Sequence, residues 1–134
     1  MSNFEKYEYW LELCDDDLDV AKLLLEGNRL LHMGFFCHLI IEKAFKAVIV
    51  KNTGEIPPKI HDLHKLARQG NIFDKLTQPQ VKLLMNLMPL QIEARYPEYK
   101  MNIAQTLSVE YCENILKETE ELLCWIKQQL EILP

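Results

Sequence analysis

A chain of 134 residues, 49% of them hydrophobic and with a formal net charge of −5, is long enough to bury a core without disulfide or metal staples. It is too apolar for a disordered tail, and it has no apolar run of the roughly 18 residues needed to span a bilayer. Met1-Ser2-Asn3-Phe4-Glu5-Lys6 lacks the basic start and apolar stretch of a signal peptide. Cys14, Cys37, Cys112 and Cys124 form no Cys-x-x-Cys pair, and three of them lie where helix stripes turn inward, reading as small core residues in a reducing compartment. The expectation is one cytoplasmic domain over 1–134, without membrane, metal or cofactor.

The first helix carries Phe4, Tyr7, Leu11, Cys14, Leu18, Ala21 and Leu25 at alternating steps of three and four, the spacing of a bundle seam. Ser2 with Glu5 suggests a capping box at its start, and Gly27 its C-terminal cap. A second helix is expected from about Leu31 to Asn52, closed by Gly54. Pro57 and Pro58 then force a rigid turn, and His61-Asp62 opens a short helix ending near Gly70. Thr77, Pro79 and Gln80 begin a fourth helix, which Pro89 should kink or split before Ala94. The last helix is expected from near Ala104 to Leu133, with Cys112, Ile115, Thr119, Leu122, Ile126 and Leu130 as its seam. No strand-like alternation occurs, so the fold class is an all-α, antiparallel up-and-down bundle of four to five helices.

Charge is spread unevenly, −6 over residues 1–28, +4 over 29–68 and −3 over the remainder. A basic middle between acidic helices suits a confined phosphate site better than a broad nucleic-acid face. Glu12, Asp16 and Asp19 share a helical face, but a solvated surface explains that acidic run better than a metal site. Lys59, His61, His64, Lys65 and Arg68 make a modest basic cluster on the short third helix.

Helix two is apolar almost all round, from Phe35 to Ile49, so it must be buried on more than one side. A homodimer seam along it would complete that burial. His38, Glu42 and Lys46 follow one another at four-residue steps on one face. They read as a polar patch fixing bundle or dimer register, or as one wall of a nucleotide cleft.

Arg95, in a break between helices, is the strongest functional candidate. Its guanidinium offers a planar fork of donors suited to phosphate. Tyr96 and Tyr99 stand ready to stack on a base, Pro97 stiffens the loop, and Lys100 adds a second cation. The structural alternative is an arginine bonded to free carbonyls or to a core carboxylate such as Glu42.

Three segments in order carry a family resemblance: the helix Phe35-Phe36-Cys37-His38-Leu39-Ile40-Ile41-Glu42-Lys43-Ala44-Phe45-Lys46-Ala47, the step Ile60-His61-Asp62-Leu63, and Ala94-Arg95-Tyr96-Pro97. In this order and spacing the chain resembles the HEPN family of small helical domains. The resemblance implies a paired bundle that binds nucleotide or RNA beside a minimal nucleotidyltransferase, often as the toxin of a toxin–antitoxin pair. In the Arg-Tyr-Pro loop it points to Arg95, and at the helix start to His61. Ribonuclease members separate an arginine from a histidine by four to six residues; after Arg95 those positions hold Lys100, Met101 and Asn102. The implied function is therefore a nucleotide- or RNA-binding module that is not an active enzyme. The alternatives are a metal-independent endoribonuclease toxin whose base is His61 or His64, and a purely structural interaction domain.

Overall fold

The computed structural model describes residues 2–93 and 95–132; of Asn3, Phe4 and Ile132 the backbone alone is described. The Phe4 side chain of the expected first seam, Ala94 of the third matching segment and Leu133 at the expected end of the last helix thus lie outside what is described. Among the described residues there are six α-helices: α1 (Asn3–Glu26), α2 (Leu30–Thr53), α3 (Leu63–Gln69), α4 (Gln78–Leu87), α5 (Pro97–Thr106) and α6 (Val109–Ile132). Two single 3₁₀ turns, Phe73–Lys75 and Met88–Leu90, join them, and no strand occurs among the described residues. The chain is an all-α bundle.

Local chemistry sets most of the boundaries. The Ser2 hydroxyl accepts from Glu5 N at 3.1 Å and starts α1. At its end Gly27 is the cap but has φ −81; the left-handed residue is Asn28, at φ 58. Asparagine tolerates that conformation better than other side chains. Gly54 does close α2 in the left-handed region, φ 71, which costs a residue without Cβ little. Asp62 caps α3 by accepting from Lys65 N at 3.1 Å, and Thr77 with Gln80 forms a complete capping box on α4. Pro89 ends α4 by converting the chain to a 3₁₀ turn.

One element departs from expectation. Pro97 does not stiffen a loop; it occupies the first turn of a separate helix, α5, where proline loses no hydrogen bond and its fixed φ suits the helix. The final helix begins only at Val109, after Ser108 accepts from Tyr111 N at 3.1 Å.

α2 is the axis of the bundle. It pairs with α1 as a hairpin across residues 27–29 and packs on α6, with α3, α4, α5 and the Met88–Leu90 turn against its remaining faces. Phe45, Met33, Ile40, Ile41 and Ile49 are wholly buried on it, each such side chain contributing roughly 1.5–3 kcal/mol of burial. The burial inferred from sequence is thus supplied within the chain, without a second copy. Leu31, Phe35 and Leu39 stay half-exposed along one stripe, with Leu30 and Phe36 beside them.

The expected seams face inward. Leu11, Cys14, Leu18 and Ala21 of α1 meet Cys112, Ile115, Thr119, Leu122, Ile126 and Leu130 of α6 in one core. Cys14, Cys37 and Cys112 are buried free thiols and Cys124 is exposed; burial pushes the Cys14 and Cys37 thiols up to about 12. The acidic run of α1 is partly engaged between helices: Asp17 pairs with Lys43 and Asp15 with Lys127, each at 2.6 Å.

Candidate functional site

Glu42 is a buried carboxylate with three charged or titratable neighbours, His38, Lys46 and His61. It stands on α2 one turn after His38 and one turn before Lys46, and its side chain is only 5% exposed. A buried carboxylate is tolerated when its charge and its lone pairs are satisfied. Here Oε2 accepts from Lys46 Nζ at 3.0 Å. Oε1 accepts from His61 Nδ1 at 3.0 Å. Lys46 also lies over the Trp10 ring, 5.8 Å from its centroid. The two four-residue steps predicted on one face are therefore present, and the carboxylate joins α2 to the segment that follows the double proline.

His38 is different. Its Nδ1 is 3.4 Å from Glu42 Oε1 without the alignment of a hydrogen bond, and among the described residues neither ring nitrogen has a well-aligned partner, the His61 backbone being the group that favours the protonated ring besides Glu42. At 1% exposure, burial pushes the imidazole down to about 4 against the upward pull of Glu42. The ring is neutral at neutral pH.

Arg95 enters from the other side. Its Nε donates to the Gln91 carbonyl at 3.2 Å, and its guanidinium lies 4.8 Å over the Tyr99 ring. The Tyr99 hydroxyl donates to the Pro89 carbonyl at 3.1 Å. The arginine is thus aimed by backbone and ring. Among the described residues it forms no ion pair; the groups bonded to Glu42 are Lys46 and His61. The terminal nitrogens remain available to an anion.

These parts meet. A cleft of about 210 Å³ is lined by His38, His61, Asp62, Met88, Gln91 and Arg95. That is several times the ~30 Å³ share of one water in the liquid, room enough for a phosphate. Gln91, 7% exposed, accepts from Glu93 N at 2.9 Å but leaves its side-chain Nε2 without a partner. Two buried polar side chains, His38 and Gln91, therefore border the cleft with hydrogen-bonding capacity unused, which is costly without an occupant or water.

The patch on helix two and the arginine loop, separate in the sequence, line one cleft. Tyr96 is 84% exposed at the start of α5, with an open ring face. Tyr99 is not open in that way, because Arg95 covers it. Lys100 is half-buried on α5 and does not line the cleft. His64 points elsewhere: its Nδ1 is 3.1 Å from Met88 Sδ and its ring leans on Phe73. Arg68 also sits on Phe73, 4.4 Å from the ring centroid. Gln91 and Met88 were not singled out from sequence, although a glutamine inside Leu87-Met88-Pro89-Leu90-Gln91-Ile92 is the kind of polar interruption that signals a lined cavity. A larger open groove of about 580 Å³ runs between α4 and α6 past Lys82, Asn86 and Asn114, and none of these site residues borders it.

The helical architecture agrees with comparisons to known proteins. The chain is 28% identical to “Putative toxin MJ1304” of Methanocaldococcus jannaschii, in an alignment covering 96% of this chain and 91% of that protein. No solved structure matches significantly. The family model for the HEPN domain matches residues 7–129. With all but the ends of the sequence inside that match, the chain belongs to the HEPN domain family.

Proposed function

We propose that this protein is a toxin-like, nucleotide- or RNA-binding HEPN module, and that Arg95 holds a phosphate at the cleft mouth. The observation that carries the reading is the Arg95 guanidinium, oriented by Gln91 and Tyr99 yet paired with no carboxylate among the described residues, at the rim of a cleft lined by His61 and two buried polar side chains with hydrogen-bonding capacity unused. Tyr96 supplies an open ring on which a base stacks, and Lys100 adds positive charge nearby on α5. The M. jannaschii relative's name supports the toxin-like part. The family resemblance supports a minimal nucleotidyltransferase as partner, in a toxin–antitoxin pair in the cytoplasm.

The test is fluorescence anisotropy with a labelled single-stranded RNA, using the wild type and Arg95→Ala. Loss of one charge-assisted contact of about 1.5–3 kcal/mol weakens binding about ten- to hundredfold. Because Arg95 is exposed, its melting temperature should stay within about 2 °C. Equal affinities, or a large fall in melting temperature with binding intact, would return Arg95 to a structural role.

The chain pairs with a second copy through the half-exposed Leu31, Phe35 and Leu39, which continue the α2 face that bears His38 and Glu42. Light scattering at micromolar concentration is expected to give twice the 15.8 kDa chain mass, and Phe35→Asp the single mass. A monomeric wild type removes the pairing.

A further inference from the structure

We propose that the cleft selects guanine: the edge of a guanine base enters between His38, Asp62 and Gln91 while Arg95 keeps a phosphate at the mouth. This rests on the reading of the cleft as a nucleotide or RNA site and names the base that the site prefers.

The lining offers one set of donors and three acceptors. Gln91 is 7% exposed, and its Oε1 accepts from Glu93 N at 2.9 Å. That bond fixes which end of the amide is oxygen, so the donors on Nε2 are what stays without a partner. His38, 1% exposed, supplies an acceptor. The ring is neutral at neutral pH, so it carries one proton for two nitrogens. Whichever nitrogen holds it, the other keeps a lone pair to which no described residue donates. Asp62 uses Oδ1 to accept from Lys65 N at 3.1 Å, which leaves a second carboxylate oxygen for a ligand. His61 donates from Nδ1 to Glu42 Oε1 at 3.0 Å, because a carboxylate only accepts, and its Nε2 is the third acceptor. All four residues line the same space of about 210 Å³.

An occupant must answer that pattern. A phosphate carries only acceptors, so the lone pairs and the Asp62 charge turn it away from the interior and leave it to Arg95. A cation would meet the Gln91 donors and the Arg95 guanidinium. Among the four RNA bases, guanine alone has two neighbouring donors, N1–H and the 2-amino group, beside one acceptor, O6. Uracil sets one donor between two acceptors. Adenine and cytosine place a ring lone pair beside their amine, where it would oppose another lone pair. Guanine O6 accepts from Gln91 Nε2, and the two donors go to His38 and Asp62. Met88 lines the same space, and its thioether packs favourably against a ring. A site built to hydrogen-bond one ligand rejects the analogue that leaves its buried groups unpaired. Tyr96, outside the cleft, stacks on the adjacent base.

The experiment titrates the full chain with 5′-fluorescent pentanucleotides of RNA, uridine at the flanks and guanosine, adenosine, cytidine, uridine or inosine at the centre. The wild type should bind the guanosine strand at least about tenfold more tightly than the adenosine, cytidine and uridine strands. Inosine, which keeps O6 and N1–H but lacks the 2-amino group, should fall between. Asp62→Asn preserves a capping residue on α3 and brings a donor where an acceptor stood. The guanosine-to-adenosine ratio should then fall to near one, with the melting temperature within about 2 °C of the wild type. Gln91→Glu, which keeps an acceptor for Glu93 N and loses the donors, should lower the ratio as well. The ratio is the readout because both substitutions alter charge and shift every affinity together. Arg95→Ala should weaken all the strands and leave the ratio unchanged. Equal affinities that Arg95→Ala still weakens overturn the guanine pocket and leave the phosphate reading standing, as does a preference for another base. A guanosine preference that survives both Asp62→Asn and Gln91→Glu places recognition elsewhere and overturns the proposal. Absence of binding by the wild type overturns both readings.

Discussion

Glu42→Ala is expected to lower the melting temperature by about 10 °C or more, the largest effect of any single polar substitution in this protein. The variant leaves the Lys46 ammonium, 8% exposed, without the carboxylate at 3.0 Å that balances it. Breaking a buried pair by removing one partner typically costs about 3–5 kcal/mol, and each kcal/mol shifts the melting temperature of a chain of this size by several degrees. The same substitution frees His61 from α2, loosening the segment after the double proline. An exposed pair offers the contrast. Lys22 and Glu120, 3.1 Å apart with side chains 46% and 39% exposed, should show a coupling near zero in a double-mutant cycle, as exposed ion pairs do. Thermal melts of Glu42→Ala and of the double variant Glu42→Ala/Lys46→Met distinguish an uncompensated charge from lost packing. Partial recovery in the double variant is the expected result. A single variant that melts with the wild type would mean that the buried pair does not stabilise the bundle.

Acid should destabilise the protein through His38. Its pKa falls from an ordinary 6.5 to about 4 in the folded chain, chiefly by burial, so between those values the unfolded state binds a proton that the folded state refuses. Stability therefore rises with pH through that window and is fully present above about 6.5. The span corresponds to about 3 kcal/mol between pH 7 and pH 4. His38→Gln does not titrate there, so its stability should fall less steeply than that of the wild type as pH decreases from 6.5. Urea titrations at half-unit pH steps measure the difference. Parallel curves would mean that His38 is accommodated when protonated.

The helical architecture was legible because its signals are local. Three-and-four spacing marked the seams of α1 and α6, and side-chain caps at Ser2, Asp62 and Thr77 marked where helices begin. α5 was missed because Pro97 carries two meanings, loop stiffener and first-turn residue, and only the following residues decide between them. The extent of α2 was also readable, but not what covers it, since burial on every side follows equally from a partner or from α3, α4 and α5 folding back. The cleft was legible only in parts. His38, Glu42 and Lys46 were visible as a helical face and Arg95 as an interhelical arginine, yet their convergence depends on where the double proline and Pro89 turn the chain. Gln91 went unnoticed because one glutamine interrupting an apolar run is a weak signal, and the unsatisfied amide that gives it weight exists only once the chain is folded.

The most direct measurement is a titration of isotope-labelled protein with a short single-stranded RNA, followed by the NMR signals of backbone and side chains. The Arg95 guanidinium, the His61 and His38 rings and the Gln91 side-chain amide should shift together and saturate at one affinity, while the acidic face of α1 stays still. Shifts confined to the α4–α6 groove around Asn86 and Asn114, with the four cleft residues unmoved, would contradict the assignment of this cleft as the binding site.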